Sequence, residues 1–347
     1  MIRSFRKIRQ RLLSENKLTK YLLYASGEIV LVMIGILLAL QVNNWNEQRK
    51  KNKELKEVRT RVALDIGNDL ADLQSKIDFW EYKRPLFDSV RYGKMTEALL
   101  DQGADELIST APFTVLSKTG VELLKETKNR DALTLKIIEI YDYLEEQPLM
   151  NEREIRQSMY DMGDAMMKYE WFHDYKKNGL NSKSARGYFL NDKEYINRLI
   201  YSHNRIYTNY LRKLEYVISV LKEARNELRI KNNPNYKPLT KDGLEQYIGS
   251  FKLDTDSNPE LWYFITDTIH LEIEDDILKL KVNKWKSSFI EYFETNEDTF
   301  IHGGSFFNLT MTFERNDLGE VTGFKLYTQS RSETSIKHFI KLKNESE

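Results

Sequence analysis

The 347-residue chain contains no cysteine. That absence removes disulfides, zinc–thiolate and iron–sulfur sites, and thiol nucleophiles together. Histidine is scarce as well: there are five, and no two stand three or four residues apart, so the paired-histidine pattern of a helical metal site is missing. Neither a metal nor a cofactor is expected. A basic stripe on the folded part is also lacking. Lys plus Arg equals Asp plus Glu at 53 each, yet residues 1–61 hold 14 cationic against 5 anionic side chains and residues 240–347 hold 12 against 20. Nucleic-acid binding draws its affinity from phosphate neutralisation, so no nucleic-acid partner is expected. No repeat of fixed period is visible.

What the sequence does have is one long apolar run. Residues 21–42 read YLLYASGEIVLVMIGILLALQV, with Ser26, Glu28 and Gln41 the only polar interruptions. At 1.5 Å per residue the stretch from Tyr21 to Trp45 covers about 36 Å, more than the roughly 30 Å of a hydrocarbon core. Tyr21, Tyr24 and Trp45 fall where interfacial aromatics belong. No small-residue cleavage pattern follows Leu40, so an uncleaved anchor is expected in place of a signal peptide. Seven Lys/Arg precede the run in residues 1–20 and seven follow in residues 43–61, which leaves the flanking charge tied. Exporting the N-terminus would move seven cations against the membrane potential at about 2.3 kcal/mol per charge per 100 mV. The expected topology is therefore a cytoplasmic tail (1–20), a transmembrane helix (21–42) and the bulk outside. Glu28 is costly in lipid unless it snorkels or finds a partner. Gly27, Gly35 and Ala39 share a face at multiples of four, and Gly35-x-x-x-Ala39 permits close helix approach, so self-association through Gly27, Glu28, Gly35 and Ala39 is the second reading.

These first residues, FRKIRQRLLSENKLTKYLLYASGEIVLVMIGILLALQVNNWNEQRK, resemble the N-terminal signature of a family of uncharacterised membrane-anchored proteins from Bacteroidota. The resemblance rests on Gly27-Glu28-Ile29 at the entry and Asn43-Asn44-Trp45-Asn46-Glu47 at the exit. It implies a bacterial inner membrane, with the bulk of the chain periplasmic, and carries no catalytic residue.

Beyond Trp45 the pattern is helical. Leu55, Val58, Val62, Ile66, Leu70, Leu73, Ile77 and Trp80 recur three and four apart, predicting a helix to about Tyr82 that breaks at Pro85. Thr119 and Glu122 have capping-box spacing. Residues 131–146 and 151–177 read as further helices. The longest begins near Asn191 and carries an apolar stripe to Leu228. An α-helical bundle domain over 43–235 follows. Its dense aromatics could line a pocket for a small ligand, with Trp171, His173, His203 and Tyr207 the candidate residues. The plainer reading makes His203 a hydrogen-bonded structural histidine and the rings core packing.

Past Pro234 and Pro238 the period changes to two. Alternation at 247–253, 270–274, 277–282 and 306–313, separated by turn signals, predicts at least seven short strands in a domain spanning 240–343. The fold class is α+β, with an antiparallel β barrel or sandwich at the C-terminus. Tyr247-x-Gly249-x-Phe251-x-Leu253, Asp276-x-Leu278-x-Leu280 and Phe313-Glu314-Arg315-Asn316-Asp317-x-Gly319-x-Val321-x-Gly323-Phe324 are similar to the lipocalin-like β domain appended to serine hydrolases of the β-lactamase class. In those relatives the barrel is an accessory module, which implies a binding or packing role. The three short motifs of that catalytic class do occur, as Ser14-x-x-Lys17, Tyr207-x-Asn209 and Lys118-Thr119-Gly120. Their order is wrong, the first lies across the membrane from the others, and the last falls on a predicted helix where the class needs a strand. Asp254-x-Asp256-x-Asn258 opens like a calcium loop but has Pro259 at position six and Ile265 at position twelve. It reads as a solvated loop.

The expected protein is a non-enzymatic envelope module for binding or scaffolding, with the lipid bilayer, a second copy and an unidentified small ligand as partners. The alternative is an envelope enzyme or small-ligand sensor with its site at the junction of helical domain and barrel.

Overall fold

In the computed structural model, which describes residues 18–127, 130–234, 236, 239–254, 268–274, 277–282, 285–291, 298–302, 308–329 and 334–342, the first helix passes straight through Pro85. This helix, α1, runs from Leu18 to Tyr92, 75 residues or about 110 Å. An interior proline costs about 3 kcal/mol. Here Trp80 on one side of it and Phe87 and Val90 on the other are buried in the same core, and that packing outweighs the lost hydrogen bond. The two stretches of α1 differ sharply. Ile29, Leu31, Leu37 and Leu38 are exposed, whereas Val62, Ala63, Ile66, Leu70 and Leu73 are fully buried.

Residues Met1–Glu57 and Val58–Glu347 form separate compact units. In the second, α1 packs with α2 (Thr119–Glu126), α3 (Ala132–Glu146), α4 (Pro148–Met166), α5 (Trp171–Asn178), α6 (Lys183–Asn191), α7 (Lys193–His203) and α8 (Leu211–Asn232). The single helix expected over 151–177 is thus two, α4 and α5. The long helix expected from Asn191 starts at Lys193, because Asp192 is the N-cap and its side chain accepts from the Tyr195 N–H. Between α7 and α8 the chain stays helical through a π turn, Asn204–Tyr210. The capping box expected at Thr119 and Glu122 is absent; Lys118 holds the N-cap position without a side-chain bond.

The C-terminal strands close into an antiparallel barrel in simple up-and-down order, β1 (Gly249–Leu253), β2 (Thr268–Glu274), β3 (Ile277–Val282), β4 (Trp285–Glu291), β5 (Thr299–His302), β6 (Asn308–Arg315), β7 (Val321–Gln329) and β8 (Thr334–Lys341). Pairing of β1 with β8, Phe251 opposite Lys341, makes the closure and decides for a barrel over a sandwich. Phe251, Phe300, Phe313, Phe324 and Phe339 fill much of the interior. One end is plugged by the turns Lys241–Leu244 and Glu245–Tyr247. The Tyr247 ring lies 4.6 Å from that of Phe313, and its hydroxyl donates to Asp298 Oδ1 at 2.7 Å. Arg315 clamps Asp298 from the other side, Nε to Oδ2 at 2.8 Å and Nη2 to Oδ1 at 2.6 Å.

Candidate functional site at the helix–barrel junction

The barrel docks on α1 through a residue that breaks the apolar pattern. Asp78 is buried, and both its oxygens are taken by one residue of β4: Oδ2 accepts the Ser288 N–H at 2.7 Å and Oδ1 accepts the Ser288 hydroxyl at 2.9 Å. Burial pushes the Asp78 carboxyl up to about 6, against the lowering pull of the Ser288 amide and of Lys279. The Ser288 carbonyl oxygen accepts from His302 Nδ1 at 2.9 Å. A carbonyl can only accept, so the ring proton sits on Nδ1. Burial pushes His302 down to about 4, and at neutral pH the imidazole is uncharged. Two residues before Asp78, the fully buried Lys76 donates to Asp72 Oδ1 at 2.6 Å. Apolar contact surrounds this polar centre: Ile277 is buried with the helical core, and Ile301 packs against it.

The same helix commits two more carboxylates to the first turn of α2 and the segment that leads into it. Asp65 Oδ2 accepts the Gly120 N–H at 2.6 Å, and Asp69 accepts the Ser117 N–H at 2.7 Å and the Tyr141 hydroxyl at 2.6 Å. These bonds replace the missing side-chain cap of α2, since an acidic group near a helix N-terminus satisfies its orphan amides. Glu152 of α4 does likewise for Thr114, through N–H at 2.8 Å and hydroxyl at 2.6 Å, and takes the Tyr210 hydroxyl at 2.9 Å. Burial raises Asp69 to about 7 and drives Tyr141 and Tyr210 well above the ordinary phenol value.

The ring residues expected to line a pocket divide into two groups. His203 and Tyr207 come together, with ring centroids 4.8 Å apart. His203 Nδ1 meets Arg91 Nη1 at 2.6 Å and Nε2 meets Asp88 Oδ1 at 2.6 Å. Guanidinium only donates, so Nδ1 accepts and Nε2–H donates to the carboxylate. Both ring nitrogens are committed, as in a structural histidine. The Tyr207 hydroxyl donates to the Trp80 carbonyl at 2.6 Å. Trp171 belongs to a second cluster, 4.8 Å from Tyr188 and 5.5 Å from Tyr169, and His173 is exposed beside it.

On the apolar part of α1, a Cβ added at Gly27 or Gly35 would meet nothing within 4 Å, and Ala39 is exposed with them while Glu28 is half-buried. The Lys118-Thr119-Gly120 triplet opens α2 and Tyr207-x-Asn209 lies in the π turn, neither on a strand. Ser14 and Lys17, and Asp256 with Asn258, lie outside the described residues. Among the described residues no group of three or more His, Asp or Glu could hold a metal ion.

Fold and junction together define an α+β chain in which a helical domain carries a docked eight-stranded barrel, and in which one helix near the N-terminus is long and apolar enough to cross a membrane. Residues 28–91, all within α1, match a family of unknown function (DUF6090). No curated protein and no solved structure matches the chain.

Proposed function

We propose that this is a single-pass protein of a bacterial inner membrane, of the Bacteroidota type, anchored by residues 21–42, with its N-terminus cytoplasmic and its helical domain and lipocalin-like barrel in the periplasm. Its work is binding or scaffolding, without catalysis. The observation that carries the anchor is the run of large apolar side chains from Ile29 to Val42, each between 48 and 68% exposed, with no protein laid over them. Moving such side chains out of water gains about 1.5–3 kcal/mol each when complete, so the run is worth on the order of 15 kcal/mol to a bilayer.

Binding is favoured over catalysis at the junction because its groups are engaged with one another. Both Asp78 oxygens hold Ser288, and Lys76 is sealed from solvent. Scaffolding draws support from the open Gly27 and Gly35 surface, on which a second copy of the helix has room to pack.

Alkaline carbonate washing of membranes, followed by peptide mass spectrometry, tests the anchor. Residues 21–42 should stay in the pellet, joined to the rest. A washed-out polypeptide beginning after residue 42 overturns it. Trypsin added to spheroplasts should digest the C-terminal part, and protection of that part would reverse the orientation. A monomeric mass for the detergent-solubilised chain would remove self-association from the reading.

A further inference from the structure

Between Gly35 and Gly67 the sequence has neither glycine nor proline, and α1 leaves the apolar run as one uninterrupted helix. Residues up to Glu57 belong to a compact unit of their own, in which Arg49, Lys50, Lys51, Lys53 and Lys56 are all exposed. A helix turns about 100° per residue, so Trp45, Arg49, Lys53 and Lys56 fall within about 80° of one another, whereas Glu47 and Glu54 point about 180° away. Lys50 and Lys51 stand on either side of that acidic face. Glu57 reaches Lys53 at 3.9 Å, but the two side chains are 80 and 68% exposed and water screens the pair. The charge on this stretch is thus sorted by face, cationic on the side of Trp45.

Arg49 is also fixed in height. Its guanidinium carbon lies 5.9 Å from the centre of the Trp45 ring, a cation–π contact with the residue expected at the edge of the hydrocarbon. Along the axis Arg49 stands about 6 Å beyond Trp45 and Lys53 about 12 Å beyond it. The polar head-group layer is about 5–7 Å deep on each side of the bilayer. Arg49 lies at that level, and Lys53 reaches it by bending its stem back toward the lipid.

We propose that the Arg49, Lys53 and Lys56 face of α1 binds the phosphate of an anionic phospholipid at the membrane surface, with Trp45 packed against the glycerol and upper acyl chain. Arg49 offers the phosphate two parallel N–H donors, Lys53 meets it as a point charge, and Lys56 adds attraction from within a Debye length of about 10 Å. A zwitterionic lipid offers the same phosphate but carries an ammonium that this face repels, which selects the anionic class. The site deepens the anchor reading and rests on it, and it holds for either orientation of the helix.

Trp45 is the only one of the five tryptophans within residues 1–57, so it reports on the lipid beside it. Full-length protein is reconstituted into phosphatidylcholine vesicles in which a minor fraction of the lipid, either phosphatidylglycerol or phosphatidylcholine, is brominated on its acyl chains. Trp45→Phe supplies the background emission of the other four rings. Brominated phosphatidylglycerol should quench Trp45 at least about threefold more than the same fraction of brominated phosphatidylcholine, and about 0.5 M salt should narrow the gap. Arg49→Gln, Lys53→Gln and Lys56→Gln combined should bring the two lipids to equality, while glutamine keeps the exposed helix intact. Equal quenching in the wild type, or an undiminished preference in the triple variant, would overturn the site and leave the anchor in place. Quenching by neither lipid would take Trp45 out of the bilayer and overturn the anchor with it.

Discussion

Asp78→Ala and Asp78→Asn should separate what the junction carboxylate does by geometry from what it does by charge. Truncation to alanine strands two buried donors of Ser288, its N–H and its hydroxyl, each worth about 1–3 kcal/mol when left unsatisfied. The expected loss is about 2–5 kcal/mol of unfolding free energy. Asparagine keeps an oxygen for the Ser288 amide, and its NH2 can donate to the hydroxyl, so the polar contact survives without the buried charge. The charge leaves its mark on pH dependence. A carboxyl held at about 6 in the fold against an ordinary 3.8 binds its proton more tightly folded than unfolded. Stability from this group is therefore fully present below about pH 4 and is lost as pH rises through 6, by about 3 kcal/mol in all. Thermal or urea unfolding of the full-length protein in detergent, from pH 4 to pH 8, should show the wild type losing that increment relative to D78N as pH rises. Parallel wild-type and D78N curves would refute the buried-charge argument, and a D78A penalty under 1 kcal/mol would refute the docking contact itself.

Other consequences can be checked with the same unfolding measurements. Gly120→Ala places a Cβ 2.8 Å from the Val62 backbone, where α2 meets α1, and should cost about 1–3 kcal/mol of overpacking. Glu152→Ala removes the acceptor for Thr114 and Tyr210 and should cost at least about 3 kcal/mol, whereas Glu152→Gln should recover part of it. Asp131 caps α3 and pairs with Arg59 and Lys231, and against the upward push of burial the Lys231 ammonium and the Thr134 hydroxyl and N–H hold its carboxyl below the usual range. Its stabilisation should be complete above pH 4 and fade as pH falls further, so Asp131→Ala should cost about 1 kcal/mol at pH 7 and less in acid.

The periodicities made most elements legible before any coordinates. The stripe from Val62 to Trp80 and the alternation in β2, β3 and β6 are local signals, written in neighbouring residues. Pro85 misled because local preference says break, while the decision belonged to Phe87 and Val90, whose burial is a tertiary fact. Barrel closure was open for the same reason: the pairing of β1 with β8 joins residues some ninety positions apart, and alternation alone fits a sandwich equally well. Asp78 could not be read at all, since it lies off the apolar stripe of α1 where a charged residue normally faces water.

The junction illustrates why a buried carboxylate is kept where an apolar contact would hold as well. Ile277 and Ile301 supply attraction, but grease tolerates sliding. Ser288 and Phe289 are consecutive on β4 and face opposite ways, the first toward Asp78 and the second into the barrel core. A slip of one residue in β4 would turn Phe289 out of the barrel and take both Ser288 donors away from Asp78. Docking and strand register thus enforce each other through a single side chain. Helical domain and barrel belong to one compact unit, Val58–Glu347, in which the β4 register that seats Phe289 in the barrel core also presents Ser288 to Asp78.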